Sequence, residues 1–173
     1  SLRRIGNITY SPLEVIVVDN GSTDGTPELI KAEFPHVKLI ELESNTGIEA
    51  YNTGFKAAKG EYIVILDDDS FPAHDALEKM VEKFAADPRL GVAAFDVRNF
   101  YSFDEIKNDS QVKGNPDNMG QIAGAGGYLL AFNGAGAGVR RDVLEAVGFY
   151  PEEFFLYWNE QDTALRILDA GYG

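Results

Sequence analysis

A chain of 173 residues, 45% of them apolar, is long enough for one domain with a sizeable core and too apolar for a disordered tail. Its 28 acidic against 15 basic residues leave a net charge of −13, which argues against nucleic acid as the main partner. A phosphorylated small molecule stays admissible, because a divalent cation inverts the local field. The absence of cysteine excludes disulfides and thiolate metal sites and fits a reducing compartment. There is no apolar run of membrane-spanning length, and residues 1–10 lack the pattern of a signal peptide.

The pattern alternates strand and helix. Residues 13–18 carry contiguous Val15, Ile16, Val17 and Val18, the mark of a short buried strand. The strand stops at the turn-forming Asp19, Asn20, Gly21 and Ser22. Thr26 is placed to cap a helix that Pro27 opens and Glu28 to Glu33 continue. A second strand is predicted over 37–42 and a loop over 44–47. A helix then runs to about Ala58, with Ile48, Tyr51 and Phe55 on one face. Residues 61–66 read as a third buried strand that runs straight into Asp67, Asp68 and Asp69.

Ala76, Leu77, Met80, Val81 and Phe84 mark an amphipathic helix closed by Asp87-Pro88. A fourth strand is predicted over 90–97 and a long polar loop over 100–125. A fifth strand is predicted over 128–133. A Gly/Ala segment over 134–138 leads into a helix over 141–147. The last helix spans 160–170, with Ala164, Leu165 and Leu168 inward. Strands alternating with helices imply an α/β domain with a mainly parallel, Rossmann-like twisted sheet covered on both faces. Ligands of such sheets bind at the carboxyl ends of the strands, where Asp19 and Asp67 to Asp69 fall.

Three adjacent carboxylates repel one another unless something positive sits among them. A hard divalent cation, Mg²⁺ or Mn²⁺, held by one or two carboxylates plus phosphate oxygens answers that repulsion; a solvated acidic turn is the alternative. Asp19 either closes a plain turn or accepts a hydrogen bond from a nucleotide base. Glu160 and Asp162 sit at a helix start, where the helix dipole favours acids. The preceding aromatics, Phe154, Phe155, Tyr157 and Trp158, could raise the proton affinity of a general base there, or simply be core. His36 and His74 are isolated and read as surface or cap residues. The glycines from Gly124 to Gly138 allow close backbone approach but do not form a dinucleotide fingerprint.

Taken together, these segments resemble the family 2 glycosyltransferases, which have the GT-A fold. The carriers are the run from Leu13 to Thr26, Asn45-x-Gly47, Ala50-x-Asn52-x-Gly54, Gly60-Glu61-Tyr62-Ile63 and Leu66-Asp67-Asp68-Asp69, which is similar to the DxD motif. They continue with Gly134-Ala135-Gly136 to Arg140-Arg141, then Val147-Gly148-Phe149, and Trp158-Asn159-Glu160-Gln161-Asp162 with Leu165-Arg166. The resemblance covers nearly the whole chain, 1–173, as one catalytic domain.

The resemblance implies an inverting, metal-assisted transfer of a sugar from a nucleotide diphosphate sugar, with uracil or thymine as base, to an acceptor hydroxyl. Asp19, Asn20, Gly21, Ser22, Asn52, Asp67 and Asp68 would form the nucleotide side. Asp69, with Asp67, would hold Mg²⁺ or Mn²⁺. Glu160 falls where the family has its catalytic base, with Asp162 in reserve. Gly134, Ala135, Gly136 and Trp158 fall on the acceptor side, facing a saccharide or a lipid-linked acceptor. Polysaccharide biosynthesis for the cell envelope, in the cytoplasm at the inner face of the membrane, is the setting implied. The family normally opens with a central strand, whereas this chain starts within the following helix, at Ser1 to Gly6, so a truncated domain is expected. Two other classes are open: a sugar-1-phosphate nucleotidyltransferase, and a non-catalytic cation- or glycan-binding module.

Overall fold

The structure, a computed structural model, describes residues 1–97 and 131–173. Its elements are α1 (Leu2–Ile5), β1 (Ile16–Asp19), α2 (Thr26–Glu33), β2 (Lys38–Glu41), a 3-10 turn (Gly47–Glu49), α3 (Ala50–Ala57), β3 (Tyr62–Ile65), α4 (Ala76–Ala86) and β4 (Val92–Ala94). Then come β5 (Ala137–Arg140), α5 (Arg141–Val147) and α6 (Asn159–Asp169).

β1 and β2 pair in parallel, with Ile16 opposite Lys38 and Asp19 opposite Glu41. β5 lies between β3 and β4 and runs antiparallel to both, with Val139 opposite Ile63 on one side and Val92 on the other. β3 and β4 therefore point the same way. Just before β1, Glu14 Oε1 accepts the backbone N–H groups of Lys59 and Gly60, at 2.6 and 3.0 Å, just before β3. The amino ends of β1 and β3 are thus tied together, and their carboxyl ends emerge together. The α/β architecture is as predicted, with β5 as the one reversed strand among those described.

Three local expectations are corrected. Of the strand predicted over 128–133, residues 128–130 lie outside the described residues and 131–133 are irregular; the strand is β5, in the segment read as a Gly/Ala lead-in. Its small residues are a packing device. A methyl group at Gly138 would collide with Met80 Sδ, and one at Gly136 would press on Val97. Ala137 and Val139 are fully buried. The cap of α2 is Gly25, at φ 86°, and not Thr26; the Thr26 N–H is taken by Asp24 Oδ1 at 3.1 Å. In α6, Ala164 faces inward with Thr163 and Ile167, while Leu165 is exposed. The loop predicted over 100–125 lies outside the described residues.

The predicted apolar face of α4 is buried through Leu77, Met80 and Phe84. Phe84 stacks on Tyr62 of β3 at 4.7 Å, and the Arg140 guanidinium lies over both rings. The same guanidinium donates to the Phe84 carbonyl, and through Nε to Leu90 O at 2.8 Å, so a β5 side chain closes the carboxyl end of α4. Burying a ring like that of Phe84 contributes roughly 1.5–3 kcal/mol.

β1 and β3 are not paired with each other: they belong to a two-stranded and a three-stranded sheet. Between them lies a cavity of about 1360 Å³, walled by Val15 to Asp19 and Tyr62 to Leu66 and faced by side chains of α2, α3 and α4. α1 crosses one end of it. Arg3 pairs with Glu33 of α2 at 2.5 Å, the Arg4 guanidinium lies 4.4 Å from the Phe71 ring, and Ser1 Oγ donates to the Asp68 carbonyl. Among the described residues no helix is long and apolar enough to cross a membrane.

Candidate active site

The carboxyl ends of β1 and β3 bring the predicted acids to one place. Asp19, Asn20, Ser22, Asp67, Asp68 and Asp69 all line the cavity between the two strands. Asp19 is only 6% exposed, and its Oδ2 accepts the Ser22 N–H at 3.0 Å, so one carboxylate oxygen is fixed by the turn. Gly21, at φ 82°, is needed for this turn, since a Cβ there would press on the Ser44 backbone.

Asn20 points to its neighbours. Its Nδ2 donates to Asn45 Oδ1 and Gly47 O, at 3.0 and 3.1 Å, while its Oδ1 accepts the Thr46 N–H at 2.9 Å. It therefore organises the loop beside the cavity. Asn52 is not brought to the cavity. It is 3% exposed, and its amide clamps the Tyr150 backbone, donating to the carbonyl at 2.9 Å and accepting the N–H at 3.0 Å.

Asp67, Asp68 and Asp69 are exposed at the end of β3. Tyr51, on α3, donates its hydroxyl to Asp67 Oδ1 at 2.6 Å. Burial first, and then the bond to Asp67 and its charge, push the Tyr51 phenol far above its ordinary value, so it remains a donor. Among the described residues no three His, Asp or Glu side chains converge into a metal cage. The acids present fit instead an open site, in which one or two carboxylates share a Mg²⁺ or Mn²⁺ ion with phosphate oxygens of a substrate.

α6 carries Glu160, which is not among the residues that line the cavity between β1 and β3. Its Oε1 packs against Gly134, so a side chain at residue 134 would require the Glu160 carboxylate to move. Burial holds the Glu160 carboxyl above the usual carboxylate range; its own backbone N–H and the Asn159 amide oppose this, and the charge of Asp67 adds a smaller upward push. Next to Glu160, Tyr150 and Asn159 are buried, and the Asn159 amide favours the charged form of both the Tyr150 hydroxyl and the Glu160 carboxyl. The reserve acid Asp162 is otherwise engaged. It pairs with Arg166 Nε at 2.8 Å, and that guanidinium also holds the carbonyls of Val147, Gly148 and Phe149.

Ala135 and Gly136 form a turn on Asn133, donating to its side-chain and backbone oxygens at 2.9 and 3.0 Å. Trp158 caps α6, and it, Phe155 and Tyr157 are exposed rather than core, while Phe154 is half-buried. His36 and His74 are exposed, as predicted. Sequence reasoning gave Tyr51 only an apolar helix face and missed its hydroxyl, and it gave Tyr150 no role. The available signal was a tyrosine on the helix leading into the acidic strand.

The sequence model described as glycosyl transferase family 2 matches residues 1–148. Among curated proteins, the chain is 32% identical over 117 residues to the poly-beta-1,6-N-acetyl-D-glucosamine synthase of Staphylococcus aureus (strain COL), covering 66% of this chain and 27% of the relative. It is 34% identical over 118 residues to the protein of the same name from Staphylococcus epidermidis, with the same coverage. The chain thus spans about a quarter of the length of these relatives. Among solved structures, the mannosyltransferase PcManGT of Pyrobaculum calidifontis, in complex with GDP-Man and Mn²⁺, superposes with a TM-score of 0.71 at 29% identity, over 99% of this chain and 48% of that one. Staphylococcus aureus TarS (1–349) matches with a TM-score of 0.74 at 18% identity, over 96% and 49%, a likeness of GT-A fold.

Proposed function

Because the chain belongs to glycosyl transferase family 2, we propose that it carries the donor-binding and catalytic part of an inverting glycosyltransferase that builds a polysaccharide of the cell envelope. The donor is a nucleotide diphosphate sugar, a UDP- or dTDP-sugar in this reading, and the acceptor is a hydroxyl of a saccharide or lipid-linked saccharide. The observation that supports the reading is the convergence of Asp19, Asp67, Asp68 and Asp69 on one cavity.

In this mechanism the Asp19 carboxylate accepts a hydrogen bond from the base N–H. The loop that Asn20 organises, with Gly21 and Ser22, closes around the nucleoside. Asp69 and Asp67, with Asp68 beside them, would hold a divalent cation. Bound there, that ion supplies the positive charge that stabilises the departing diphosphate.

Glu160 takes the acceptor proton. The acceptor oxygen forms its bond to the anomeric carbon as the carbon–oxygen bond to phosphate breaks, and the bonding pair leaves on the diphosphate. Attack from the far face inverts the anomeric centre. A carboxyl held above its usual range is a stronger base than an exposed one, which suits this role. Asp162, held by Arg166, orients the start of α6. The proposed setting is the cytoplasmic face of the membrane.

The test is calorimetric titration with UDP, dTDP and GDP, each with and without Mn²⁺. Mn²⁺-dependent binding of at least one nucleotide is expected. GDP is included because PcManGT was solved with GDP-Man. Absence of metal-dependent binding for all three nucleotides sinks the reading.

A further inference from the structure

The turn that follows β1 rests on the loop over 44–48, and that loop in turn rests on the segment leading to Glu160. On the first side, the Asn20 amide is fully used. Its two N–H groups go to Asn45 Oδ1 and Gly47 O, and its oxygen accepts the Thr46 N–H at 2.9 Å and the Thr46 hydroxyl at 3.3 Å. The Asn45 oxygen is shared, because it also accepts the Gly47 N–H at 2.8 Å. Gly21 lies so close to the Ser44 backbone that no side chain fits between them.

On the far side, the Ile48 N–H donates to Phe155 O at 2.9 Å. A Cβ at Gly47, where φ is 64°, would collide with that carbonyl and with the Phe155 ring. Tyr157 and Trp158 follow with φ 72° and 68°, a conformation that bulky residues avoid and keep only where the surroundings impose it. Their side chains are 71 and 68% exposed, so packing around the rings does not impose it. The backbone contacts on either side do: Phe155 O is held by Ile48, and Trp158 O accepts the Asp162 N–H at 2.9 Å. Glu160 lies inside that last turn. An unbroken series of contacts therefore runs from the turn at 19–22 through 44–48 and 155–158 to Glu160. Such a network couples two places when a ligand binds one of its arrangements better than another.

We propose that Asn45 and Gly47 are positioning residues, which transmit the state of the turn at 19–22 to the segment 155–158, so that a nucleotide bound at Asp19 fixes Glu160 in place. The inference rests on the transferase reading above and deepens it, by making the base ready when the donor side is filled. The strained backbone at Tyr157 and Trp158 gives the segment a reason to move. With the loop over 44–48 loosened, the segment relaxes from positive φ and carries the start of α6 with it.

Trp158 is the only tryptophan of the chain and is not among the residues that line the cavity, so its fluorescence reports on the segment without turnover. The whole chain is titrated with UDP, dTDP and GDP in the presence of Mn²⁺. A saturable change in emission is expected with each nucleotide that binds by calorimetry. Asn45→Ala should keep nucleotide affinity within about threefold and lose most of that change. Asn45→Asp keeps an acceptor for the Asn20 amide and the Gly47 N–H, and should restore it. Gly47→Ala forces Phe155 away from the loop by a separate route. It should also bind nucleotide and lose the emission change, and it serves in place of Asn45→Ala should that variant fail to fold.

A nucleotide that binds the parent chain with Mn²⁺ and leaves the emission unaltered overturns the coupling, while the transferase reading stands. So does a change that persists at full amplitude in the folded variants, which would mean that ligand and ring meet directly. An Asn45→Asp chain as silent as Asn45→Ala overturns the role given to the Asn45 oxygen. Absence of Mn²⁺-dependent nucleotide binding in the parent chain overturns the transferase reading itself, and the coupling with it.

Discussion

The Tyr51 hydroxyl donates to Asp67 Oδ1 at 2.6 Å, joining the helix α3 to the acidic end of β3. The ring that makes this bond packs edge-on against Tyr150 at 6.0 Å, so its position is set by the aromatic cluster behind it. Tyr51→Phe keeps that packing and removes only the bond. A hydrogen bond to a charged group is worth about 1.5–3 kcal/mol, so Mn²⁺-dependent nucleotide affinity should fall by about tenfold or more. Calorimetry gives the affinity, and an unchanged circular dichroism spectrum identifies the loss as local. Equal affinity in the two proteins would mean that Asp67 needs no positioning by Tyr51.

Glu160→Gln should retain nucleotide binding and lose turnover, since a neutral amide accepts no proton. Normal turnover in this variant removes Glu160 as the base. The raised proton affinity of Glu160 also predicts the sign of a stability effect. A carboxyl whose folded value lies above its unfolded value binds more protons in the native state, so stability falls as pH rises from the ordinary carboxylate range through the folded value. Glu160→Gln should therefore have a higher Tm than the parent at pH 7, and the gap should close toward about pH 4. For the same reason the acidic limb of kcat/KM should lie above the ordinary carboxylate value.

Asp69→Ala should abolish the Mn²⁺ dependence of nucleotide binding, whereas Asp162→Ala should chiefly lower Tm, because Asp162 serves Arg166 and the turn over 147–149. Titration of both variants with nucleotide and metal separates the two acids. Metal-dependent binding that survives Asp69→Ala would move the cation to another ligand.

Asn52→Ala leaves a buried backbone N–H and carbonyl of Tyr150 without partners. At about 1–3 kcal/mol for each unsatisfied group, the domain should lose roughly 2–5 kcal/mol by chemical denaturation. Nucleotide affinity at low temperature should stay within about twofold, since the amide does not face the cavity; a larger loss would return Asn52 to the donor site.

Trp158→Gly tests the strained backbone. Glycine adopts positive φ freely and is tolerated at a helix cap, so this variant should be at least as stable as the parent. A fall in Tm would show that the ring contributes to the fold after all.

Much of this was legible in the sequence because periodicity reports burial. The β-branched runs of β1 and β3 and the apolar face of α4 follow directly from the spacing of Val15 to Val18, Tyr62 to Ile65, and Leu77, Met80 and Phe84. Position at a strand end is equally readable, so Asp19 and Asp67 were found. β5 was not, because Ala137, Gly138 and Val139 owe their burial to the bulk of Met80 and Phe84 on another element. Side-chain direction was the other blind spot. Asn52 and Asp162 belong to motifs that resemble functional ones, yet their hydrogen bonds go to Tyr150 and Arg166.

The space between β1 and β3 has a mechanical meaning. Among the described residues each wall is the unpaired rim of a sheet, and the two rims face each other with Glu14 bridging one end. An extended backbone lying there could be zipped on both sides at once, something an ordinary outer rim cannot offer. Among the described residues the two half-sheets are coupled through helices, loops and the Glu14 bridge. They should then breathe against each other, so hydrogen exchange at Val17 and Val64 should be fast relative to Val139, which is seated between two partners.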